Sequence, residues 1–533
     1  MNALADLLLQ LTKWSSFYAG DGRTMLFFLG PLLGAAALII LRAGIGAKPL
    51  VDPLEANALH GGRMSWRDGA TIAAQTILSN GSGASVGLEA AYAQCGATIG
   101  SKAAVSIHLR RADVRILVAS GAAGAISAAF GAPIAGMFYG CELILATYSV
   151  PVAGAVFGAS VCGSMTARLL GIEPYQIAPP PNAWAGVTEY VSAIGIAIIC
   201  SALAILTMWF VVRSEAHISR RVRPAPRLLG GGVALGALIA FRPQAMGSGH
   251  EAMHALFLGL PALSCLLALL VAKWLASTIT LATGFRGGLF FASLYLGALT
   301  GACVWAIARL WVPIDPTFMM LIGVAGFASA VLGTPLAIAF LVFESTGTFS
   351  IIGPVLVAAV GSNLLVRQLF GFSYSTWRLH LRGEDIESAM DIGWQRQIKV
   401  EDLMLTQPRS IFADTTIAEF RERYPLGASV NTIVLMDYHG YYKGLIYVPV
   451  AHDRRYDEAC ERRAIEEIAV QADCTIDRGA SILEAMNLYR QVGVETIAVT
   501  DRQSGKLAGL LREASVVRRY AAEVEQALSS VTR

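Results

Sequence analysis

The chain has 533 residues, 55% of them hydrophobic and 15% charged, with a formal net charge of +3. Soluble globular domains carry about 25% charged residues, so this composition, with a mean hydropathy of +0.56, excludes an ordinary soluble protein and predicts a polytopic membrane protein. The small net charge gives no basic face for nucleic acid. The eight cysteines include no CxxC pair, so there is no sign of a disulfide framework or a metal site.

The first stretch, MNALADLLLQLTKWSSFYAG, reads as a short amphipathic helix and not as a signal peptide. Long apolar runs follow at Met25–Leu41, Tyr190–Val212, Leu256–Leu281 and Ile351–Leu365. Several segments between them are short or broken by Gly and Pro, the pattern of discontinuous helices lining a midplane site. The loop RSEAHISRRVRPAPR carries Arg213, Arg220, Arg221, Arg223 and Arg227. It is the strongest basic cluster between apolar runs, which places it in the cytoplasm. After about Arg378 the chain turns polar. The expected organisation is a membrane domain at 1–378, a linker at 379–399 and a soluble domain at 400–533, the last on the cytoplasmic side of an inner (plasma) membrane. Within it, Val400–His452 and Ile465–Tyr520 each read as strand, helix, strand, strand, helix.

The membrane part repeats itself. AAFGAPIAGMFYGCEL and SAVLGTPLAIAFLVFES each hold a Gly-x-Pro, an apolar stretch and a glutamate. Pro133 to Glu142 and Pro335 to Glu344 are both nine residues, and the repeats are offset by 335 − 133 = 202. Upstream, GLEAA at 87–91 matches GLFFA at 288–292, an offset of 288 − 87 = 201. Ordered pairs at nearly one offset point to a pseudo-symmetric transporter fold with its site between the halves.

Glu89 is the anomaly, a carboxylate inside the small, apolar stretch GSGASVGLEAAYAQCGATIG. Such a group costs several kcal/mol in hydrocarbon unless shielded. GSGASVGLEAA and ATGFRGGLFFA can both open helices, and helix N-termini offer unpaired N–H donors and partial positive charge to anions. Two such ends meeting at a repeat interface would make an anion site that also tolerates Glu89. Taken singly, either stretch reads rather as close packing through small residues; the paired, repeated occurrence reverses that.

These residues carry a resemblance. Residues 81–100, SGAAGAISAAFGAPIAGMFYGCELI, GFRGGLFFASLYLG, GVAGFASAVLGTPLAIAFLVFESTG and SYSTW together resemble the CLC chloride channel and transporter family, and the tail resembles a pair of CBS domains. The resemblance implies an all-α membrane fold of inverted repeats and broken helices, a homodimer, and one anion pore per subunit in a lipid bilayer. It implies that Glu89 is the external gating glutamate, that the backbone N–H groups of Leu289 and Phe290 face the central anion, and that the Tyr374 hydroxyl donates to it.

Several positions depart from the family. The gating motif has Arg before and Gly-Pro after its glutamate, where this chain has Leu88, Ala90 and Ala91. The GSGIP-type serine motif is replaced by GIGAKPLVDPLEANALHGG, with Gly46, Lys48, Asp52 and Glu55. Unbroken spacing from Glu89 puts Lys48 near the serine position, as an inner anion contact; alignment on Pro53 makes it a cytoplasmic-end anchor. The inner glutamate of proton-coupled members falls on Leu143, with Glu142 one residue before it as a candidate for the proton pathway. One residue turns a helical side chain by about 100°. Glu344 matches Glu142 in the repeat, which suggests a shared structural role for both. In the tail, the places of the ribose-binding hydroxyl and Asp hold Arg512 and Ser515, and Tyr447 and Val450, so no ribose carboxylate is present and a dimerising, regulatory tail is expected over an adenine nucleotide sensor.

The reading is anion transport, chloride first, gated by Glu89. Exchange of chloride for protons and passive conduction both stay open, as does another anion such as fluoride, nitrate or bicarbonate. No HExxH occurs, and the histidines lie by loop-like or charged stretches, which argues against an intramembrane enzyme. No cofactor is implied beyond the anion as substrate.

Overall fold

The computed structural model describes residues 22–45, 50–175, 177, 185–311, 314–380, 398–427, 431–457, 462–502 and 504–520. The N-terminal amphipathic stretch, Lys48 and most of the 379–399 linker lie outside them. The chain divides into two compact units, Met1–Asp391 and Ile392–Arg533.

Among its described residues the first unit is helical throughout. Its helices are α1 (Gly22–Ile45), α2 (Pro53–Leu59), α3 (Trp66–Gly81), α4 (Glu89–Ser106), α5 (Arg111–Phe130), α6 (Pro133–Tyr139), α7 (Val150–Leu169) and α8 (Val187–Arg221). After them come α9 (Pro224–Phe241), α10 (His250–Leu258), α11 (Leu263–Thr283), α12 (Phe290–Ala308), α13 (Pro316–Leu332), α14 (Pro335–Thr346), α15 (Ile352–Leu369) and α16 (Tyr374–His380). Among the described residues, eight helical segments are long and apolar enough to cross a membrane. The short α2, α6 and α10 are not, as expected of broken helices.

Two of the expected elements differ. The run Leu256–Leu281 is two helices, because Gly259 and Pro261 interrupt it; proline lacks an N–H and pushes its predecessor out of the helical region. The basic stretch 213–227 is not a loop for most of its length. Helix α8 continues through Arg221, breaks at Val222 and Arg223, and α9 starts on Pro224. At 35 residues, α8 is about 52 Å long and outreaches a hydrocarbon layer of about 30 Å.

The halves pair as the sequence offset requires. Helices α4 and α12 start 201 residues apart (290 − 89), α6 and α14 start 202 apart (335 − 133), and α7 and α15 start 202 apart (352 − 150). Helix α4 crosses α5 where a Cβ on Gly96 would stand 2.1 Å from the Gly121 carbonyl oxygen, and one on Gly100 would stand 2.1 Å from that of Leu117. Helix α12 crosses α13 in the same way at Gly297 and Gly301, against Gly323 and Met319. Small residues here let backbones touch, which is how membrane helices gain packing contacts. Helix α13 is buried from Phe318 to Leu332, as an all-round apolar helix should be.

The second unit contains two copies of one α/β motif. In the first, β1 (Ser410–Phe412) runs parallel to β2 (Thr432–Met436), which pairs antiparallel with β3 (Tyr442–Tyr447); α17 (Ile417–Arg423) joins β1 to β2, and α18 (Val448–Ala451) follows β3. In the second, β4 (Thr475–Asp477), α19 (Ile482–Val492), β5 (Thr496–Thr500) and β6 (Leu507–Arg512) repeat the pattern, and residues 513–520 are helical. Each copy receives a bridge on its last strand: Leu405 exchanges hydrogen bonds of 2.8 and 3.0 Å with Leu510, and Val470 exchanges bonds of 2.9 and 2.8 Å with Leu445. Val434, Leu445 and Leu510 form a buried cluster between the sheets.

Candidate functional site

The site begins where α4 and α12 start. Gly87 and Gly288, one residue before each N-cap, pair as an antiparallel bridge, with N–H to O distances of 3.0 and 3.4 Å. The two helices therefore meet head to head with their N-terminal donors turned to one place. Further bonds tie the two openings together: the Ser85 amide donates to Thr280 Oγ1 at 3.0 Å, and the Arg286 amide donates to Ser79 Oγ at 3.0 Å.

Glu89 is the first residue of α4, where Phe290 is the first of α12. Its side chain is 2% exposed. The carboxylate folds back over the glycine before it, since a Cβ on Gly87 would stand 1.8 Å from Glu89 Oε2. Oε2 is buried without a hydrogen-bond partner. The Phe291 amide, from the opposite half, and the Lys273 side chain lie near the carboxylate. The helix starts directly at the glutamate although Ala90 and Ala91 replace the family's Gly-Pro.

Glu89, Leu289, Phe290 and Tyr374 line one cavity of about 980 Å³. Arg42, Arg227, Arg286 and Arg378 line it too, and it reaches the exposed Ala43 and Pro224. Arg378 sits 5.8 Å above the Tyr374 ring and 4.0 Å from Glu215. Asp52, from the segment where the serine motif is missing, also lines the cavity, but its carboxylate accepts from the Glu55 amide at 2.8 Å as the N-cap of α2. Lys48 lies outside the described residues.

Leu143 lines the cavity and Glu142 does not. The segment Gly140–Leu145 is a π turn ending at Ala146 with φ 51°, so the register after Tyr139 differs from that of an α-helix. The Glu142 carboxylate instead accepts from the Leu336 and Ala337 amides at 3.1 and 2.9 Å, on the first turn of α14. Glu344 returns the contact, accepting from Ile134 and Ala135 at 3.0 and 2.8 Å on the first turn of α6. Each glutamate of the repeat thus caps the other half's broken helix.

Sequence reasoning passed over two residues. Tyr139, beside Glu89 and Phe290 in the cavity, lies inside a quoted motif but at no marked position. Lys273 is fully buried; its ammonium donates to the Gly247 carbonyl at 2.7 Å and faces the Tyr295 ring at 5.7 Å. A lone lysine in the run Leu256–Leu281 was the available signal.

Fold and site together define a class: a membrane protein of two inverted repeats whose helix N-termini converge on a cavity. Residues 32–367 match the model of the family described as voltage gated chloride channel, and the chain belongs to that family. It is 26% identical over 293 residues to the voltage-gated ClC-type chloride channel ClcB of Salmonella typhimurium, covering 54% of this chain and 70% of that one. With the H(+)/Cl(−) exchange transporter ClcA of Vibrio cholerae it shares 26% identity over 317 residues, 56% of this chain and 66% of that one. Among solved structures, a slow cyanobacterial Cl−/H+ antiporter aligns with a TM-score of 0.62 at 17% identity, covering 72% of this chain and 93% of that one. A eukaryotic CLC transporter aligns with a TM-score of 0.59 at 17% identity over 96% of this chain and 94% of that one, so the likeness in fold extends into the second unit. A CLC-type fluoride/proton antiporter aligns with a TM-score of 0.57 at 18% identity, covering 69% of this chain and 92% of that one.

Proposed function

We propose that the protein moves chloride or a similar small anion across the plasma membrane, through one pore in each subunit of a homodimer, with Glu89 as its gate. The observation that carries this is the convergence of α4 and α12 on the buried Glu89 carboxylate at the head of a cavity lined by four arginines. Donors that accept a carboxylate there accept chloride equally, so gate and substrate compete for one place. The Leu289 and Phe290 amides and the Tyr374 hydroxyl are the anion contacts of this reading. Lys48 enters this reading only through its unbroken spacing from Glu89, as a candidate inner contact.

Proton exchange is the coupled form of the reading: Glu89 takes a proton when it leaves the anion position, and Glu142, whose carboxylate also caps α14, is the candidate for the inner proton pathway. Leu143 on the cavity wall favours a second form, passive conduction without coupling. Fluoride, nitrate and bicarbonate are alternative substrates. The second unit is a CBS pair on the cytoplasmic side, dimerising and regulatory, without a ribose carboxylate. Purified protein in liposomes should carry chloride, with anion and proton movement recorded together. Pumping of chloride by a pH gradient, abolished in Glu89→Gln and Glu89→Ala while chloride flux persists, is the coupled outcome. Chloride flux with no pH-driven pumping in the unmodified protein is the conducting one, and absence of flux of any of these anions defeats the proposal.

A further inference from the structure

Arg42 and Arg227 come from helices of opposite halves, the end of α1 and the start of α9, yet both reach Gly284. Arg42 Nη2 donates to the Gly284 carbonyl at 2.7 Å, and its Nε and Nη2 donate to Gln75 Oε1 at 3.3 and 3.2 Å. Gln75 is buried and fixes the guanidinium in place. Arg227 Nη2 would stand 2.9 Å from a Cβ on Gly284, which has φ +95°. Both guanidiniums therefore stand against one residue, and like charges so placed repel.

The carbonyl end of α11, capped by Gly284, offsets part of this repulsion, and an anion between the guanidiniums would offset the rest. Among the described residues no carboxylate lies within ion-pair distance of either arginine. The nearby acids are engaged elsewhere: Asp52 caps α2, and Glu215 faces Arg378. Arg227 Nε is a buried donor with no partner. Both guanidiniums line the cavity that also holds Glu89 and Tyr374.

We infer that Arg42 and Arg227 together bind a small monovalent anion beside Gly284, a loading station in the vestibule separate from the Glu89–Tyr374 pore. The inference rests on the transport reading of the same cavity. The bound anion supplies the acceptor that Arg227 Nε lacks and the negative charge that the pair lacks. Guanidinium forks hold it without the full dehydration that the pore's amides demand.

The test is anomalous diffraction from crystals of the whole protein soaked in bromide, with concentration-dependent chloride flux in liposomes. Bromide should appear between the two guanidiniums as well as near Tyr374. In Arg227→Gln the vestibule peak should vanish, and half-saturating chloride should rise roughly 3–10-fold. Arg42→Gln should do the same, and the double variant should be no weaker than the worse single one, because one shared anion makes the effects non-additive. If Arg42→Gln fails to fold for want of its Gln75 and Gly284 bonds, Arg227→Gln, which removes neither, still decides. A peak at Tyr374 with none between the arginines, or an unchanged half-saturating chloride in Arg227→Gln, overturns the station alone. No peak at either place together with no flux overturns the transport reading, and the station with it.

Discussion

Lys273 shows how a single residue sets the electrostatics of the site. An amine without exposed surface, held by backbone carbonyls of the 245–247 turn, stands within reach of Glu89. In the proposed function its charge draws the carboxylate to the anion position, and draws the anion when the carboxylate leaves. Lys273→Met keeps most of the side-chain volume and removes the charge. Chloride flux should fall about tenfold, the equivalent of roughly 1.4 kcal/mol in anion binding, while the purified protein keeps its size-exclusion profile. Flux unchanged to within about twofold would show that the charge is not felt at the pore.

At the scale of elements, the two-fold relation makes paired predictions. Glu142 and Glu344 each satisfy two first-turn amides, so Glu142→Ala and Glu344→Ala should each cost about 2–4 kcal/mol, read as lowered thermal stability in detergent. Glu142 also meets the Tyr148 hydroxyl, so its loss should be at least as large as that of Glu344; a loss at one site with none at the other would refute equivalent clamps. The helix crossings behave similarly. Gly96→Ala and Gly301→Ala drive a Cβ to 2.1 Å from a backbone oxygen and force α4 from α5, or α12 from α13. Both should reduce folded yield severely. Gly195→Ala in α8, with nothing within 4 Å of its Cβ, should be neutral or gain up to about 1 kcal/mol.

For the molecule as a whole, much of the architecture was legible because it rests on spacing. The 202-residue offset announced the repeats, and the Gly-Leu openings announced α4 and α12. The shared spacing of Glu142 and Glu344 announced a common role, but their targets were invisible, since those amides lie in the opposite half. The π turn that carries Leu143 to the cavity leaves no mark in composition. The Arg42–Arg227 pair could not be seen, because its members are far apart in sequence and meet only through the fold. In the second unit the alternation of β-branched residues gave both copies, while the crossed bridges at Leu405 and Val470 are tertiary. Leu405→Pro removes one bridging donor and should lower the thermal stability of that unit by about 3 kcal/mol, followed by calorimetry on the full chain; an unchanged transition would mean the bridge adds nothing.

The exchanged clamp also sets an order in time. The α6 amides at Ile134 and Ala135 wait for a carboxylate 210 and 209 residues later. At about 5–20 residues per second of synthesis, the first half is in the bilayer roughly 10–40 s before Glu344 is made. Until then the start of α6 has no protein acceptor from its own half at that place, and α14 meets Glu142 as soon as it is made. The second half is therefore completed on contact with a waiting partner, while the first must be kept from premature association, so a ribosome stalled before Glu344 should leave a membrane-inserted fragment that a protease or an insertion factor can recognise as unfinished.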